Sequence, residues 1–331
     1  MQALTHKLST GRTDDHMLST IREPVMNPAH VPVMTSEAVA ALAIKPGGVY
    51  VDCNIGDGGH AEAILHASHD VFVLGIDLDA DALDAAEARL RGYATSIRLV
   101  HGNFADVASI AVGNRARDAS GVLFDLGVSS RQLDTAERGF SFRREAPLDM
   151  RFDVESPTTA ADIVNRYPER ELETVIRELG EEPRARAVAK AIVRNRRIET
   201  TTQLADVVSR ALHWPAHSRV HPATRTFQAL RMAVNSELDN LEKGLYGAIE
   251  TLQTGGRLVT LTYHSIEDRL VKNLMRREAT ACICPPSAPI CICDHKPSVR
   301  LVNRRVLTPT REEIRSNPRA RSAKMRIVEK L

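Results

Sequence analysis

Val49-Tyr50-Val51-Asp52-Cys53-Asn54-Ile55-Gly56-Asp57-Gly58-Gly59-His60 reads as a short apolar strand ending in a carboxylate, then a glycine-rich turn. A helix from about Ala61 to Ala67 follows. The alternation repeats downstream. Val71-Phe72-Val73-Leu74-Gly75-Ile76 ends at Asp77 and precedes a helix from about Ala80 to Leu90. Ile97-Arg98-Leu99-Val100 is a third strand and Val122-Leu123-Phe124-Asp125 a fourth. Apolar strands alternating with helices predict an α/β fold whose parallel sheet is covered on both faces.

The chemistry expected at this sheet depends on how its strands end. The turn spells G-D-G-G, not the dinucleotide G-x-G-x-x-G, and no Lys-Ser/Thr comes after it, so phosphate is not the expected ligand. Asp77, 25 residues after Asp52, is placed to accept both hydroxyls of a ribose. It is equally placed to cap the next helix. Asp52, Asp57, Asp77, Asp79 and Asp81 crowd one end of the sheet, which repels a pyrophosphate and suits a cationic adenosine derivative. S-adenosylmethionine, with its sulfonium, meets those requirements. Gly102-Asn103-Phe104 after the third strand and Asp125 after the fourth continue the same rim.

Beyond Gln132 the pattern changes to helical spacing. Leu172, Val175, Ile176 and Leu179 form one stripe, Ala185, Val188, Ala189, Ile192 and Val193 a second, and Leu204, Val207, Val208 and Leu212 a third. Prolines at 157, 168, 183, 215 and 222 divide the segment into short helices. A longer helix from about Phe227 to Leu252, the turn Thr254-Gly255-Gly256 and the strand Arg257–Thr262 then resume the α/β pattern. The expected organisation is a disordered extension over residues 1–28, an α/β domain made of 29–131 and 240–331, and an inserted all-helical substrate-recognition domain over 132–239.

The chain has 331 residues, 43% hydrophobic and 26% charged, which excludes a disordered chain and leaves room for about two cores. No apolar run approaches the ~18 residues of a membrane span, and the first residues carry no apolar signal core, so a cytoplasmic protein is expected. The net charge of +2 is uneven along the chain. Residues 30–134 hold 7 basic and 14 acidic side chains, and residues 241–331 hold 17 and 9. An acidic first half fits a cationic ligand, and a basic last quarter fits a polyanion.

Longer stretches carry a resemblance. They are His30-Val31-Pro32-Val33-Met34, His101-Gly102-Asn103-Phe104, Asp125-Leu126-Gly127-Val128-Ser129-Ser130, Glu137–Phe142, Pro147–Arg151, His221–Arg231, Tyr263–Arg269 and Asn317–Lys324. With them the chain resembles, over about 29–331, the ribosomal RNA small subunit methyltransferase H family, S-adenosylmethionine-dependent enzymes that methylate N4 of a cytosine in bacterial 16S ribosomal RNA. The resemblance implies a Rossmann-like class I methyltransferase sheet with a helical insertion, and a substrate within the small ribosomal subunit. It implies cofactor contacts at Gly58, Gly59, His60, Asp77, Phe104, Asp125 and Gln132. Three departures stand out. The family's usual Gly-Thr-Phe-Gly-Arg-Gly-Gly-His is here Cys53–His60, so that Asp57 stands in place of arginine. Arg131 stands where proline is usual, and Tyr263 where phenylalanine is usual.

Methyl transfer to an amine is an in-line displacement, and the exocyclic nitrogen of cytosine is a weak nucleophile, so an acceptor near its N–H bonds is expected. Asp125, with Ser129 or Ser130, is the candidate; a purely cofactor-binding Asp125 is the alternative. The strand-four motif lacks the aromatic platform of other amino-methyltransferases, leaving Phe104, Phe140, Phe142 and Tyr263 as candidates to stack the base, with Phe104 more readily given to the adenine. Arg184, Arg186, Lys190, Arg194, Arg196 and Arg197 are expected to contact RNA, as are Arg300, Arg304, Arg305, Arg315, Arg319, Arg321, Lys324 and Arg326. The rivals are a non-catalytic RNA-binding assembly factor on the same fold and a small-molecule methyltransferase, which the basic surfaces disfavour. Cys282, Cys284, Cys291 and Cys293 form C-x-C-x6-C-x-C with His295 beyond. In a chain without an export signal these read as reduced thiols or zinc ligands. The tight C-x-C spacing favours a loop without metal, and no metal site is assigned.

Overall fold

Seven strands form one sheet: β1 (Val49–Asp52), β2 (Phe72–Asp77), β3 (Ile97–His101), β4 (Ala119–Asp125), β5 (Leu252–Thr262), β6 (Val299–Leu301) and β7 (Lys324–Lys330). Their order is β3-β2-β1-β4-β5-β7-β6. Strands β1 to β5 are parallel, and β7 runs antiparallel to β5 and β6. The chain winds outward from β1 in one direction and from β4 in the other. The crevice beyond their carboxyl ends is the place where such sheets bind ligands. The computed structural model describes residues 32–213, 221–285 and 290–331. The expected disordered extension over 1–28 and the first two residues of His30–Met34 lie outside them.

Helices α1 (Thr35–Leu42), α2 (Gly59–Ala67), α3 (Ala80–Arg89), α4 (Val107–Gly113) and α5 (Ser130–Asp134) accompany the first four strands. Then come α6 (Ala160–Arg166), α7 (Glu169–Gly180), α8 (Ala185–Arg194), α9 (Thr201–Leu212) and α10 (Thr224–Val234), and finally α11 (Glu237–Thr251), α12 (Ser265–Glu278) and α13 (Arg311–Ser316). Because strand side chains alternate between faces, Tyr50, Val73 and Leu123 pack with Leu42, Ile64 and Ala86 of α1 to α3. Val51, Leu74, Val122 and Phe124 pack with Ala111, Leu245 and Val271 of α4, α11 and α12 on the other side. Both faces are therefore dry, which is why the strand sequences are continuously apolar. Helices α6 to α10 enclose a separate cluster that includes Ile163, Leu172, Ile176, Ile192, Leu204 and Leu230. The expected stripes supply it.

Three features differ from the expectations. The single helix predicted from Phe227 is two, broken at Asn235-Ser236. Ser236 is left-handed with φ 49°, and the Asn235 side chain accepts from the Phe152 amide at 2.8 Å and donates to the Met150 carbonyl at 2.8 Å. Apolar spacing runs through the break, but those bonds hold it. The turn at Thr254–Gly256 lies inside β5, where the pairing with β4 jumps from Ala119↔Leu252 to Gly121↔Arg257. The extra residues bulge out, with Gly255 at φ 79°. Finally, α5 and α11 run across the domain boundaries expected at 131/132 and 239/240.

Candidate active site

The carboxyl rim of the sheet, where each strand hands over to its loop, supplies the residues of the site. After β1, Gly58 takes φ 81° to begin α2, and a Cβ there would sit 2.8 Å from Leu90, so only glycine fits. Asp52 at the end of β1 is buried; Oδ1 accepts from the Asn54 amide at 3.2 Å, while Oδ2 has no partner. Asp77 ends β2, and its Oδ2 accepts from the Gly56 amide at 2.9 Å and its Oδ1 from the Asp79 amide at 3.0 Å. The helix cap considered for Asp77 belongs instead to Asp79, whose carboxylate accepts from the Asp81 amide. Burial pushes Asp52 up to about 7 and Asp77 up to about 6, in the latter case against the pull of its amide donors.

Asp125 at the end of β4 lies between two partners. Its Oδ1 accepts from the Tyr263 hydroxyl at 2.6 Å, and its Oδ2 lies 3.3 Å from His60 Nε2. That second approach is close enough for ionic attraction but is not aligned as a hydrogen bond, and both ring nitrogens of His60 are buried without one. Burial opposes charging the imidazole, but the Asp125 and Asp52 carboxylates outweigh it and raise its pKa. Burial and the Asp125 charge push the Tyr263 hydroxyl well above its ordinary range, so it stays a donor.

The loop after β4 is fixed by the serines and Gln132. Ser129 caps α5, accepting from the Gln132 amide, while Gln132 Oε1 accepts from the Ser129 amide in return. Gln132 is buried, and its Nε2 donates to Asp79 Oδ2 at 2.7 Å. Arg138 donates to the same Asp79 and to Asp81, and its other nitrogen donates to the Arg151 and Phe152 carbonyls. Ser129 and Gln132 thus brace the loop, and Ser130 opens α5 beside them. Arg131 and Asp57, both departures from the family's usual residues, pair with each other at 3.0 Å and tie the glycine turn to α5. Phe104, expected near an adenine, sets its ring edge-on to Phe124 at 5.5 Å and close to Gly244.

Between the rim and the helical segment lies a cleft of about 580 Å³, lined by Val128, Phe140, Phe142, Phe227, Tyr263 and His264, with Arg143, Arg144, Arg231 and Arg319 at its polar edge. Phe142 packs against His221 at 4.5 Å and Phe227 at 4.9 Å between ring centres. Of the aromatic candidates, Phe140, Phe142 and Tyr263 line this cleft and Phe104 does not. Below it, Glu237, His264 and Glu267 bring ligand-type atoms together. Arg231 engages Glu237 with both nitrogens at 2.7 and 2.8 Å, and His264 lies 2.8 Å from Glu267. Burial raises Glu237, whereas His264 and Arg231 overcome burial and lower Glu267. The cluster is a braced charge network that joins β5 and α12 to α10 and α11.

The model of the MraW methylase family matches residues 27–331. The chain belongs to that family. It is 52% identical over 303 residues to Ribosomal RNA small subunit methyltransferase H of Dehalococcoides mccartyi (strain ATCC BAA-2100), covering 91% of this chain and 86% of that protein. It is 49% identical to the protein of that name from Pelobacter propionicus and 47% identical to the one from Carboxydothermus hydrogenoformans, covering 98% of each. As an MraW methylase the chain is a methyltransferase on a Rossmann-like sheet, and its methyl donor is S-adenosylmethionine.

The residues present fit that donor. Arg138 pairs with Asp79 and Asp81, and Arg131 with Asp57. Asp52 and Asp77 are left with no arginine or lysine partner among the described residues. Around them, Asp52 Oδ2, Asn54 Oδ1 and the His60 ring nitrogens are buried and unsatisfied. Orphaned buried acceptors beside raised carboxylates call for a ligand with cationic and hydroxyl groups. Sequence reasoning singled out Asp52, Asp77 and Asp125 as strand ends, and each ends a strand in the structure. It missed Asp79 with Arg138 as the brace and the Tyr263 hydroxyl as a partner of Asp125; the aspartate pair spaced through Asp81 at the start of a helix was the available signal for the first.

The basic residues divide. Arg184 donates to the Leu212 carbonyl and Arg196 to the Val164 and Tyr167 carbonyls, so both hold the helical segment together. Arg186, Lys190, Arg194 and Arg197 are exposed. Near the C-terminus Arg300, Arg319, Lys324 and Arg326 pair with Glu329, Asp134 and Asp268, while Arg304, Arg305, Arg315 and Arg321 are exposed without an ion pair among the described residues.

Proposed function

We propose that the chain transfers a methyl group from S-adenosylmethionine to the exocyclic N4 of a cytosine in 16S ribosomal RNA, acting on the small ribosomal subunit in the cytoplasm. The observation that carries this reading is the meeting at Asp125 and Tyr263 of two unlike surfaces: an acidic rim with unpaired carboxylates, and a cleft lined by aromatic rings and arginines. The first suits a cation, and the second suits a base with its phosphates.

The cofactor supplies an electrophilic methyl on a sulfonium. The chain's own groups do the rest. Asp77 receives the ribose hydroxyls, and Gly58 and Gly59 allow backbone to approach. Gln132 and Ser129 hold the α5 loop in place, with Ser130 at its mouth. Phe142 or Phe140 packs on the cytosine so that its amine points at Asp125. The Asp125 carboxylate accepts an N–H bond of that amine, orienting the lone pair toward the methyl, and takes the proton as positive charge develops on nitrogen. The Asp125 and Asp52 carboxylates beside His60 raise the pKa of its imidazole against the effect of burial.

Labelled-methyl transfer tests the proposal. Incorporation into small ribosomal subunits at N4 of cytosine, absent with free cytidine and reduced at least about a hundredfold in kcat by Asp125→Asn, is the expected result. Cofactor binding without transfer to any ribosomal RNA would overturn the reading, and wild-type turnover by Asp125→Asn would overturn the role of Asp125.

A further inference from the structure

Among the described residues between α12 and β6 there is no helix or strand. Ile283, Ile290 and Ile292 are 41%, 75% and 84% exposed, so these isoleucines do not secure the loop by burial. Its four cysteines nevertheless converge. Cys282 Sγ lies 3.4 Å from Cys291 Sγ and 3.8 Å from Cys293 Sγ, and Cys291 Sγ lies 3.6 Å from Cys293 Sγ. All four sulfurs, Cys284 included, lie within 4.8 Å of one another, and none is in a disulfide.

These separations discriminate between chemistries. A disulfide needs about 2.05 Å between sulfurs. Four thiolates about 2.3 Å from one tetrahedral ion have edges of about 3.8 Å, and the three separations among Cys282, Cys291 and Cys293, 3.4 to 3.8 Å, lie close to that. The backbone adds a second observation. The Ile283 amide donates to Cys293 Sγ and the Ile292 amide to Cys284 Sγ, both at 3.4 Å. Each C-x-C arm thus presents an N–H to a sulfur of the other, and N–H donors around metal-bound sulfur orient the ligand and stabilise its charge. His295 is not needed as a ligand, since its Nε2 bonds the Arg277 carbonyl at 3.0 Å.

We propose that Cys282, Cys284, Cys291 and Cys293 bind one zinc ion in a closed, all-sulfur tetrahedral site. Four thiols lose four protons to the medium as four Zn–S bonds form, with no change of oxidation state. A site with four protein ligands has no open position, so its role is structural: the ion ties together two C-x-C arms whose isoleucines are exposed. It sits past the far end of α12, a helix about 21 Å long whose first turn borders the cleft, and stands apart from the methyl-transfer chemistry.

Full-length protein purified in reductant without chelator is expected to hold one zinc per chain by elemental mass spectrometry. Cys282→Ser and Cys293→Ser are expected to lose it, and Cys53→Ser, whose thiol is buried in the sheet, to keep it. Replacing zinc with cobalt in the wild-type protein is expected to give the visible bands of tetrahedral thiolate coordination, a readout that does not depend on any variant folding. Four freely titrating thiols in folded, metal-free protein after incubation with zinc would overturn the proposal. So would two disulfides in protein kept reduced, or stoichiometric iron in place of zinc.

Discussion

Asp52→Asn isolates the electrostatic cost of the cofactor site. The carboxyl titrates near its ordinary 3.8 in the unfolded chain and at about 7 in the fold, because burial disfavours its charged form. Between those values the folded state holds a proton that the unfolded state has released, so stability falls as pH rises through this window and levels off above pH 7. From pH 5 to pH 8 the wild-type protein should lose on the order of 2–3 kcal/mol that D52N keeps. For a chain of this size that corresponds to about 3–4 °C in Tm. Loss of the Asp52 charge also lowers His60, whose raised pKa contributes stability that likewise disappears with rising pH, so both effects act in the same direction. Asparagine keeps the acceptor for the Asn54 amide, which limits other damage. Denaturation of the cofactor-free protein at a series of pH values measures the difference. Calorimetry gives the complement: affinity for the cationic cofactor should rise from pH 5 toward 7 in the wild type, by at most about tenfold per pH unit, and rise less in D52N. Parallel stability curves for the two proteins would refute the reasoning, because they would mean that Asp52 is not a buried, uncompensated acid.

Tyr263→Phe removes the hydroxyl that donates to Asp125 but leaves the ring in the cleft; cofactor affinity should stay within about threefold and kcat should fall by less than about tenfold, as measured by methyl incorporation. A loss as large as that of D125N would mean that the hydroxyl itself takes part in the chemistry. Asp57→Arg sets two guanidinium groups against each other across the turn and should weaken cofactor binding, while adding Arg131→Asp should restore it. Both side chains are partly exposed, so the coupling in a double-mutant cycle should be below about 1 kcal/mol. The combined Arg186→Glu, Lys190→Glu and Arg194→Glu protein should keep its Tm and lose about 2 to 3 from the salt slope of RNA binding. Arg196→Ala should do the reverse, costing about 1–2 kcal/mol of stability through the carbonyls it leaves unpaired, with the slope unchanged.

The strands were legible because a parallel sheet dried on both faces demands continuous apolar runs, and the rim because an aspartate closes β1, β2 and β4 in the sequence itself. The helical stripes of α7, α8 and α9 were legible for the same local reason. What escaped depends on partners far apart in the chain. Asp79 meets Gln132 and Arg138 across 53 and 59 residues, and Arg131 meets Asp57 across 74. The break between α10 and α11 is set by Asn235 bonding a segment 83 and 85 residues away, while the apolar spacing through it still looks helical. The cysteine spacing left loop and zinc open, because the fold of the intervening residues, not the interval, brings the sulfurs within reach.

Charge illustrates why pairing matters more than composition. The segment 30–134 carries seven more acids than bases, yet most of the crowd at its rim is cancelled locally. Arg138 comes from the loop leading into the helical segment, and its single positive charge, shared by Asp79 and Asp81, offsets part of the acidity that would otherwise attract any cation indiscriminately. Arg131 offsets the charge at Asp57. The two left over, Asp52 and Asp77, are the ones that burial has pushed up, so their carboxylates are the least stable on their own and gain most from a positive ligand. The basic segment obeys the same logic in reverse: Arg300, Arg319, Lys324 and Arg326 are committed to carboxylates, and Arg304, Arg305, Arg315 and Arg321 remain for phosphate. A segment's net charge therefore points to the region in which a ligand binds, and the residues that select the ligand are those the fold leaves without a partner.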